Sequence, residues 1–155
     1  MSLISIIIPT YNRFETCLLA IKSIQKQTHK NIEIIVVNDC STEEAYYSHN
    51  WDVIVLHLEE NSRKKFGYPC AAYVRGEGVK IAKGQYIAFL DDDDYWLPKK
   101  LQRQLHSLHK NNTDICCTEA YCGRGTYNKD IEKRLMLGDY HLKYIGDKYG
   151  KNGIE

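Results

Sequence analysis

Residues Leu3 to Ile8 read "LISIII" and residues Ile32 to Val37 read "IEIIVV", two short β-branched runs that are apolar on both faces. Strands of this kind are covered by helices on both sides, the condition of a parallel sheet. Between them, Cys17, Ile21 and Ile24 recur at helical spacing in "ETCLLAIKSIQKQT", which supplies the crossover helix that parallel neighbours require. The first forty residues therefore read as a β-α-β unit.

Outward from that unit the alternation continues. "VIVLHL" (Val53 to Leu58) reads as a third strand, and "PCAAYVRGEGVKIAKG" as a helix with Ala71, Val74, Gly78 and Ile81 on one face, ended by Gly84. "QYIAFL" is a fourth strand. "LPKKLQRQLHSLHK" reads as a helix with Pro98 in its first position and Leu101, Leu105 and Leu108 on one face, and "TDICCT" (Thr113 to Thr118) as a fifth strand. The expected fold is an α/β domain with a mainly parallel, Rossmann-like sheet flanked by helices. Past Tyr121 the regular alternation stops, which places the one candidate boundary there.

Composition bounds the function. The 155 residues, 43% hydrophobic and 26% charged, suffice for one core, and 21 basic against 20 acidic residues leave no global field to attract nucleic acid. Cys17, Cys40, Cys70, Cys116, Cys117 and Cys122 form no C-x-x-C pair, and no signal-type segment follows Met1, so reduced thiols in the cytoplasm are expected. No apolar run approaches the roughly 20 residues that cross a bilayer. Any site must be built locally.

Open α/β sheets bind ligands outside the carboxyl ends of their strands. Here those ends carry "PTYNR" (Pro9 to Arg13), "NDCS" (Asn38 to Ser41) and "DDDD" (Asp91 to Asp94), so three polar clusters converge on one edge. Neither a glycine-rich dinucleotide turn nor a G-x-x-x-x-G-K-[ST] loop is present, so phosphate must be handled in another way. Clustered carboxylates supply hard oxygen ligands for Mg2+ or Mn2+, and such an ion can hold a diphosphate that the acids alone would repel. Asp39 is placed to accept from a ribose hydroxyl or a base N–H, Tyr11 to stack on a base, and Arg75 to pair with phosphate or with an aspartate. Against these stand plainer roles: Asp94 as a helix cap, Asp39 as a turn residue, Tyr11 as packing, and Arg75 as a surface cation. Capping accounts for one aspartate of the four. His106 and His109 read as a solvated helix face, Cys116 and Cys117 as pointing to opposite sides of a strand, and "NSRKKFGYP" as a solvated loop.

Taken in order and spacing, "SIIIPTYNR", "IEIIVVNDCST", "YVRGEGVKIAKGQYIAFLDDDD" and "WLPKKLQRQ" resemble the nucleotide-binding part of family-2 glycosyltransferases of the GT-A fold, over Ser2 to Lys110. The resemblance implies an inverting, metal-dependent transferase that moves a sugar from a nucleotide-sugar, commonly a UDP-sugar, to an acceptor hydroxyl. It implies Thr10 and Tyr11 in the base pocket, Asp39 on the base, Arg75 beside the nucleotide, and Asp91, Asp92 and Asp93 as the D-x-D segment. Within that segment Asp93 would take the Mn2+ or Mg2+ ion and Asp91 and Asp92 would face the ribose and donor. Asn38 and Cys40 depart from the family's "DDGS", and Gly76 from its "ARN-x-G". The family's general base belongs to an acidic pair in a later half, for which Glu119 and Asp139 are poor substitutes. The expectation is a donor-binding domain over residues 1–120, with residues 121–155 opening an acceptor-side region and the base lying beyond residue 155. A nucleotide-binding module without catalysis and a nucleotidyltransferase are the alternatives, the latter lacking its glycine-rich basic loop here.

Overall fold

The computed structural model describes residues 2–118 together with two short strands at residues 121–122 and 134–135. Its elements run β1 (Ile4–Thr10), α1 (Phe14–Gln25), β2 (Ile32–Asn38), α2 (Ala45–Ser48), β3 (Ile54–His57), α3 (Ser62–Phe66), α4 (Ala71–Ile81), β4 (Tyr86–Phe89) and α5 (Lys100–Asn111). β5 (Tyr121–Cys122) and β6 (Arg134–Leu135) pair antiparallel. The chain divides into two compact units, Met1–Arg103 and Gln104–Glu155. The domain boundary expected near residue 120 falls at residues outside the described ones.

The first unit holds a parallel sheet in the order β3-β2-β1-β4. β1 lies in the interior with β2 and β4 on either side, and Ile6, Ile7 and Ile8 have no exposed surface. Each such side chain stabilises the fold by roughly 1.5–3 kcal/mol. Ile7, Ile35, Val37 and Val74 form a core beneath α4. Ile6 and Ile8, of opposite parity, are buried, as are Cys17, Ala20, Ile21 and Ile24 of α1. The two apolar strand faces thus have the two helical covers that the sequence demanded.

Several boundaries differ from expectation, each for a local reason. Gly84 does not end α4, which stops at Ile81 with Ala82 extended. Gly84 lies instead where a Cβ would meet the Ser5 backbone nitrogen at 2.5 Å, so its role is close approach to β1. Pro98 precedes the helix in a turn, and α5 starts at Lys100. That turn is held to the segment just after α1: the Leu97 carbonyl accepts from Gln27 Nε2 at 2.8 Å, and the Pro98 carbonyl accepts from Thr28 N at 2.8 Å. Thr113 to Thr118 is no strand, and Ile115 is 86% exposed, so the strand alternation assigned to Cys116 and Cys117 does not apply. "NSRKKFGYP" is not a plain loop but contains α3, capped by the Asn61 side chain and closed by Gly67 at φ +82°. Among the described residues no helix is long and apolar enough to cross a membrane.

The two glycines of α4 make opposite predictions. A Cβ at Gly78 would lie 2.6 Å from Ile7 Cγ2 and 2.9 Å from Val37 Cγ2, whereas one at Gly76 meets nothing within 4 Å. Gly78→Ala is expected to destabilise by about 1–3 kcal/mol through overpacking. Gly76→Ala is expected to stabilise by about 0.5–1 kcal/mol through chain entropy. Urea unfolding of both variants reads the signs.

Candidate functional site

The carboxyl ends of β1, β2 and β4 meet, as the strand order requires, and the chain turns sharply after two of them. Asn12 and Cys40 adopt positive φ, +50° and +57°. The Cys40 turn is thus left-handed without glycine. Its strain is offset locally: Asn12 Oδ1 accepts from Thr42 N at 2.7 Å, Asn12 N donates to Ser41 Oγ at 2.9 Å, and Asn38 Oδ1 accepts from Ser41 N at 2.9 Å.

Thr10, Tyr11, Asp39, Arg75, Asp91, Asp92 and Asp93 all line one open cavity of about 380 Å³ at this edge. A larger hollow of about 660 Å³ lies beside it and shares Arg13 and Asp93, but Glu15, Glu43 and Glu44 also line it. Glu15, Glu43 and Glu44 have no ion pair among the described residues, whereas the smaller cavity sets Arg75 as well as Arg13 among its acids.

Asp92 is the buried member of the run. Its carboxylate accepts from Thr10 Oγ1 at 2.8 Å and from Arg13 Nη1 at 3.1 Å. Thr10 Oγ1 also lies 2.5 Å from the Tyr46 hydroxyl. Because the single Thr10 proton goes to Asp92, Tyr46 must donate to Thr10, and it in turn accepts from the Arg13 backbone N–H at 3.1 Å. Burial pushes the Tyr46 hydroxyl up to about 12, keeping that proton in place. Burial likewise pushes the Asp92 carboxyl above the ordinary aspartate value, against the pull of Thr10 and Arg13. Beneath them the Cys17 thiol, pushed up to about 12 by burial and then by the Asp92 charge, is inert.

The other acids differ in kind. Asp91 is ion-paired with Arg75 Nη2, while Asp93 accepts from Arg13 Nη1 at 2.7 Å. Arg75 lines the cavity, and its buried Nε has no hydrogen-bond partner among the described residues. Asp39 is committed to the protein: Oδ1 accepts from Ser62 N at 2.7 Å, and Oδ2 from Ser62 Oγ at 2.7 Å and Asn61 Nδ2 at 3.1 Å. Of its roughly four acceptor positions, one on Oδ1 remains. Tyr11, 45% exposed, lines the cavity. Asp94 lies outside the cavity and well ahead of Lys100, so it does not cap α5.

Sequence reasoning singled out neither Arg13, nor Tyr46, nor Ser62 as a site residue. The usable signal for Arg13 was its charge, placed at the end of a strand bound to face the aspartate run. Tyr46 and Ser62 sit on two helices too short to produce a periodic pattern. Among the described residues no three His, Cys, Asp or Glu side chains form a metal cage.

The chain matches the family model "Glycosyl transferase family 2" over residues 5–153. It is 42% identical over 115 residues to the UDP-Glc:alpha-D-GlcNAc-diphosphoundecaprenol beta-1,3-glucosyltransferase WfaP of Escherichia coli, covering 70% of this chain and 42% of that protein. It is 40% identical over 149 residues to an uncharacterized glycosyltransferase of Rickettsia conorii, covering 92% of this chain and 23% of the relative. Among solved structures it resembles S. aureus TarS 1–349 in complex with UDP, with a TM-score of 0.58 and 29% identity over 72% of this chain and 33% of that one. The chain spans less than half the length of each of these relatives.

The aspartate run carries a pH signature. Partial desolvation, and then the charges of Asp91, Asp93 and Asp92, raise the Asp94 carboxyl above its ordinary 3.8. A raised folded value means that ionising Asp94 opposes folding, so its favourable contribution is complete below 3.8 and lost as pH rises through the folded value. Asp94→Asn is therefore expected to raise the melting temperature at pH 7, and to bring no gain where Asp94 is protonated in both states. Thermal unfolding of the two proteins across the acid range measures the difference.

Proposed function

The chain belongs to glycosyl transferase family 2, and from that we propose that its sheet edge is the donor site of an enzyme that transfers a sugar from a UDP-sugar to an acceptor hydroxyl with inversion. The observation that carries this reading is the Arg75–Asp91 pair at the wall of the cavity, with the buried Arg75 Nε unpartnered beside it. A guanidinium held in that way is prepared for a phosphate oxygen. The S. aureus TarS complex with UDP supports the choice of nucleotide.

In this reading Tyr11 stacks on the base, Thr10 shapes the base pocket, and the remaining acceptor position of Asp39 takes a base or ribose hydrogen. Asp91 and Asp92 face the ribose and donor. Asp93, 55% exposed and paired with the half-exposed Arg13, is the carboxylate that would serve as a metal ligand.

The residues fit a divalent ion, Mn2+ or Mg2+. Arg13 and Arg75 set two positive charges against the four carboxylates that line the cavity, Asp39, Asp91, Asp92 and Asp93, an excess of two negative charges that one such ion balances. A site with one or two protein carboxylates suits an ion whose other ligands are water and phosphate. Bound there, the ion supplies charge neutralisation at the leaving diphosphate. The chain's own part is to orient: Arg75 grips phosphate, Thr10 and Tyr46 hold Asp92 in place, and the α3 loop walls the cavity through Asp39. Each described carboxylate in the cavity is engaged by a donor, which supports seeking the base that deprotonates the acceptor outside the described residues.

Calorimetric titration with UDP, with and without Mn2+, tests the reading. The expectation is binding that Mn2+ strengthens, a strengthening lost in Asp93→Asn, and a fall of about tenfold or more in UDP affinity in Arg75→Ala. No binding of UDP in the presence of Mn2+ overturns it.

A further inference from the structure

One nitrogen atom bridges two carboxylates of the run. Arg13 Nη1 lies 3.1 Å from Asp92 Oδ1 and 2.7 Å from Asp93 Oδ2, which is the position between the two acids that a small cation would occupy. Its backbone is fixed, since Arg13 N donates to the Tyr46 hydroxyl and the Arg13 carbonyl accepts from Cys17 N at 3.0 Å in the first turn of α1. Its side chain is not enclosed: 53% of it is exposed, and Arg13 borders both the 380 Å³ cavity and the 660 Å³ hollow. The stem therefore has a fixed root and open space around it. The two contacts also differ in strength. Asp92 is 8% exposed and held by Thr10 as well, whereas the pair with Asp93 is half in solvent, where screening leaves an ion pair weak.

We propose that Arg13 is an internal stand-in for the divalent ion: it neutralises Asp92 and Asp93 in the empty site and releases Asp93 when a nucleotide diphosphate arrives to receive the guanidinium. The inference rests on the donor-site reading above and goes beyond it by giving the order of loading. A metal ion arriving alone must displace a cation from Asp93 and leave that cation beside itself. One arriving with a diphosphate does not, because the phosphate oxygens accept the displaced guanidinium in a charge-assisted pair. Metal and nucleotide then bind with positive coupling, and each tightens the other by the same factor. The site stays closed to free metal until its substrate is present. The role of Arg13 is that of a positioning residue acting through Asp93.

The test is calorimetric titration of Mn2+ into the chain, first without nucleotide and then with saturating UDP, for the wild type, Arg13→Gln and Arg13→Met, the last keeping the apolar stem. Without nucleotide, both variants are expected to bind Mn2+ about tenfold more tightly than the wild type, and the factor by which UDP tightens Mn2+ is expected to shrink by a similar amount. Structural damage at the end of β1 would weaken the metal site, so a gain in affinity is a readout that a merely structural role does not produce. Circular dichroism confirms which variants are folded, and either one suffices. Nucleotide-free Mn2+ affinity that is unchanged or lowered in a folded variant overturns the proposal, while the donor-site reading survives if the wild type still binds UDP with Mn2+. If the wild type binds neither Mn2+ nor UDP, both fall.

Discussion

Asp92 is a carboxylate almost without solvent, and the carboxyl edge of the sheet is arranged around keeping its charge satisfied. Thr10 at the end of β1 donates to it, Tyr46 of α2 donates to Thr10, and the first backbone N–H ahead of α1 donates to Tyr46. One chain of hydrogen bonds thus joins β1, α1, α2 and the turn after β4. Each link polarises the next, and orphaning a buried member costs about 1–3 kcal/mol. Tyr46 is itself wedged among Phe14, at 5.4 Å edge-on, and Trp51, stacked at 6.2 Å, so packing fixes the hydroxyl before chemistry uses it. The geometry of the aspartate run begins in an aromatic cluster two elements away.

Set against Asp92, the remaining acids sort by how exchangeable their partners are. Asp39 is also buried and spends three acceptor positions on Asn61 and Ser62, which makes it chiefly a clamp on the loop that walls the cavity. Asp91 and Asp93 are paired with arginine side chains at half-exposed positions. Backbone and hydroxyl donors cannot leave without breaking the fold, but guanidinium groups on flexible stems can turn to a better anion. In the proposed reading the site is a frame of two buried carboxylates carrying two whose guanidinium partners exchange. Asp39 lies at the cavity, but most of its hydrogen-bonding capacity serves structure.

The regular part of the fold was legible because physics writes it locally. Runs such as "LISIII" and "IEIIVV" have one stable environment, and the i, i+4, i+7 pattern of Cys17, Ile21 and Ile24 has one stable face. α2 and α3 were not legible, because four or five residues do not complete a period and their helicity depends on contacts made elsewhere. Thr113 to Thr118 misled for the opposite reason: its residues suit a strand, but no neighbouring strand pairs with them in the described structure. The clustering of the site was legible by place, since the seven residues picked, six from strand ends and Arg75 from a helix, do line one cavity. Its wiring was not. Arg13 reaches Asp92 and Asp93 across 79 and 80 positions, and Ser62 reaches Asp39 across 23, separations that no local spacing encodes.

The opposite edge of the same sheet shows why the chemistry lies where it does. There Glu33 accepts from Lys83 N at 2.5 Å, from Gly84 N at 3.1 Å and from Ser5 Oγ. Burial would raise its carboxyl, but those donors outweigh it and hold Glu33 below its ordinary value, so the network stays charged and closed at neutral pH. Its nitrogen donors are backbone, and Gly84 permits a contact with β1 too close for any side chain. There the Glu33 carboxylate is matched by three donors fixed in the fold. At the carboxyl edge the four cavity-lining carboxylates, Asp39, Asp91, Asp92 and Asp93, meet two guanidiniums, an imbalance that in the proposed reading a cation and its diphosphate resolve. A parallel sheet makes this division available, because all its strands end together: one edge can be spent on holding the crossovers, and the other can be left electrostatically incomplete.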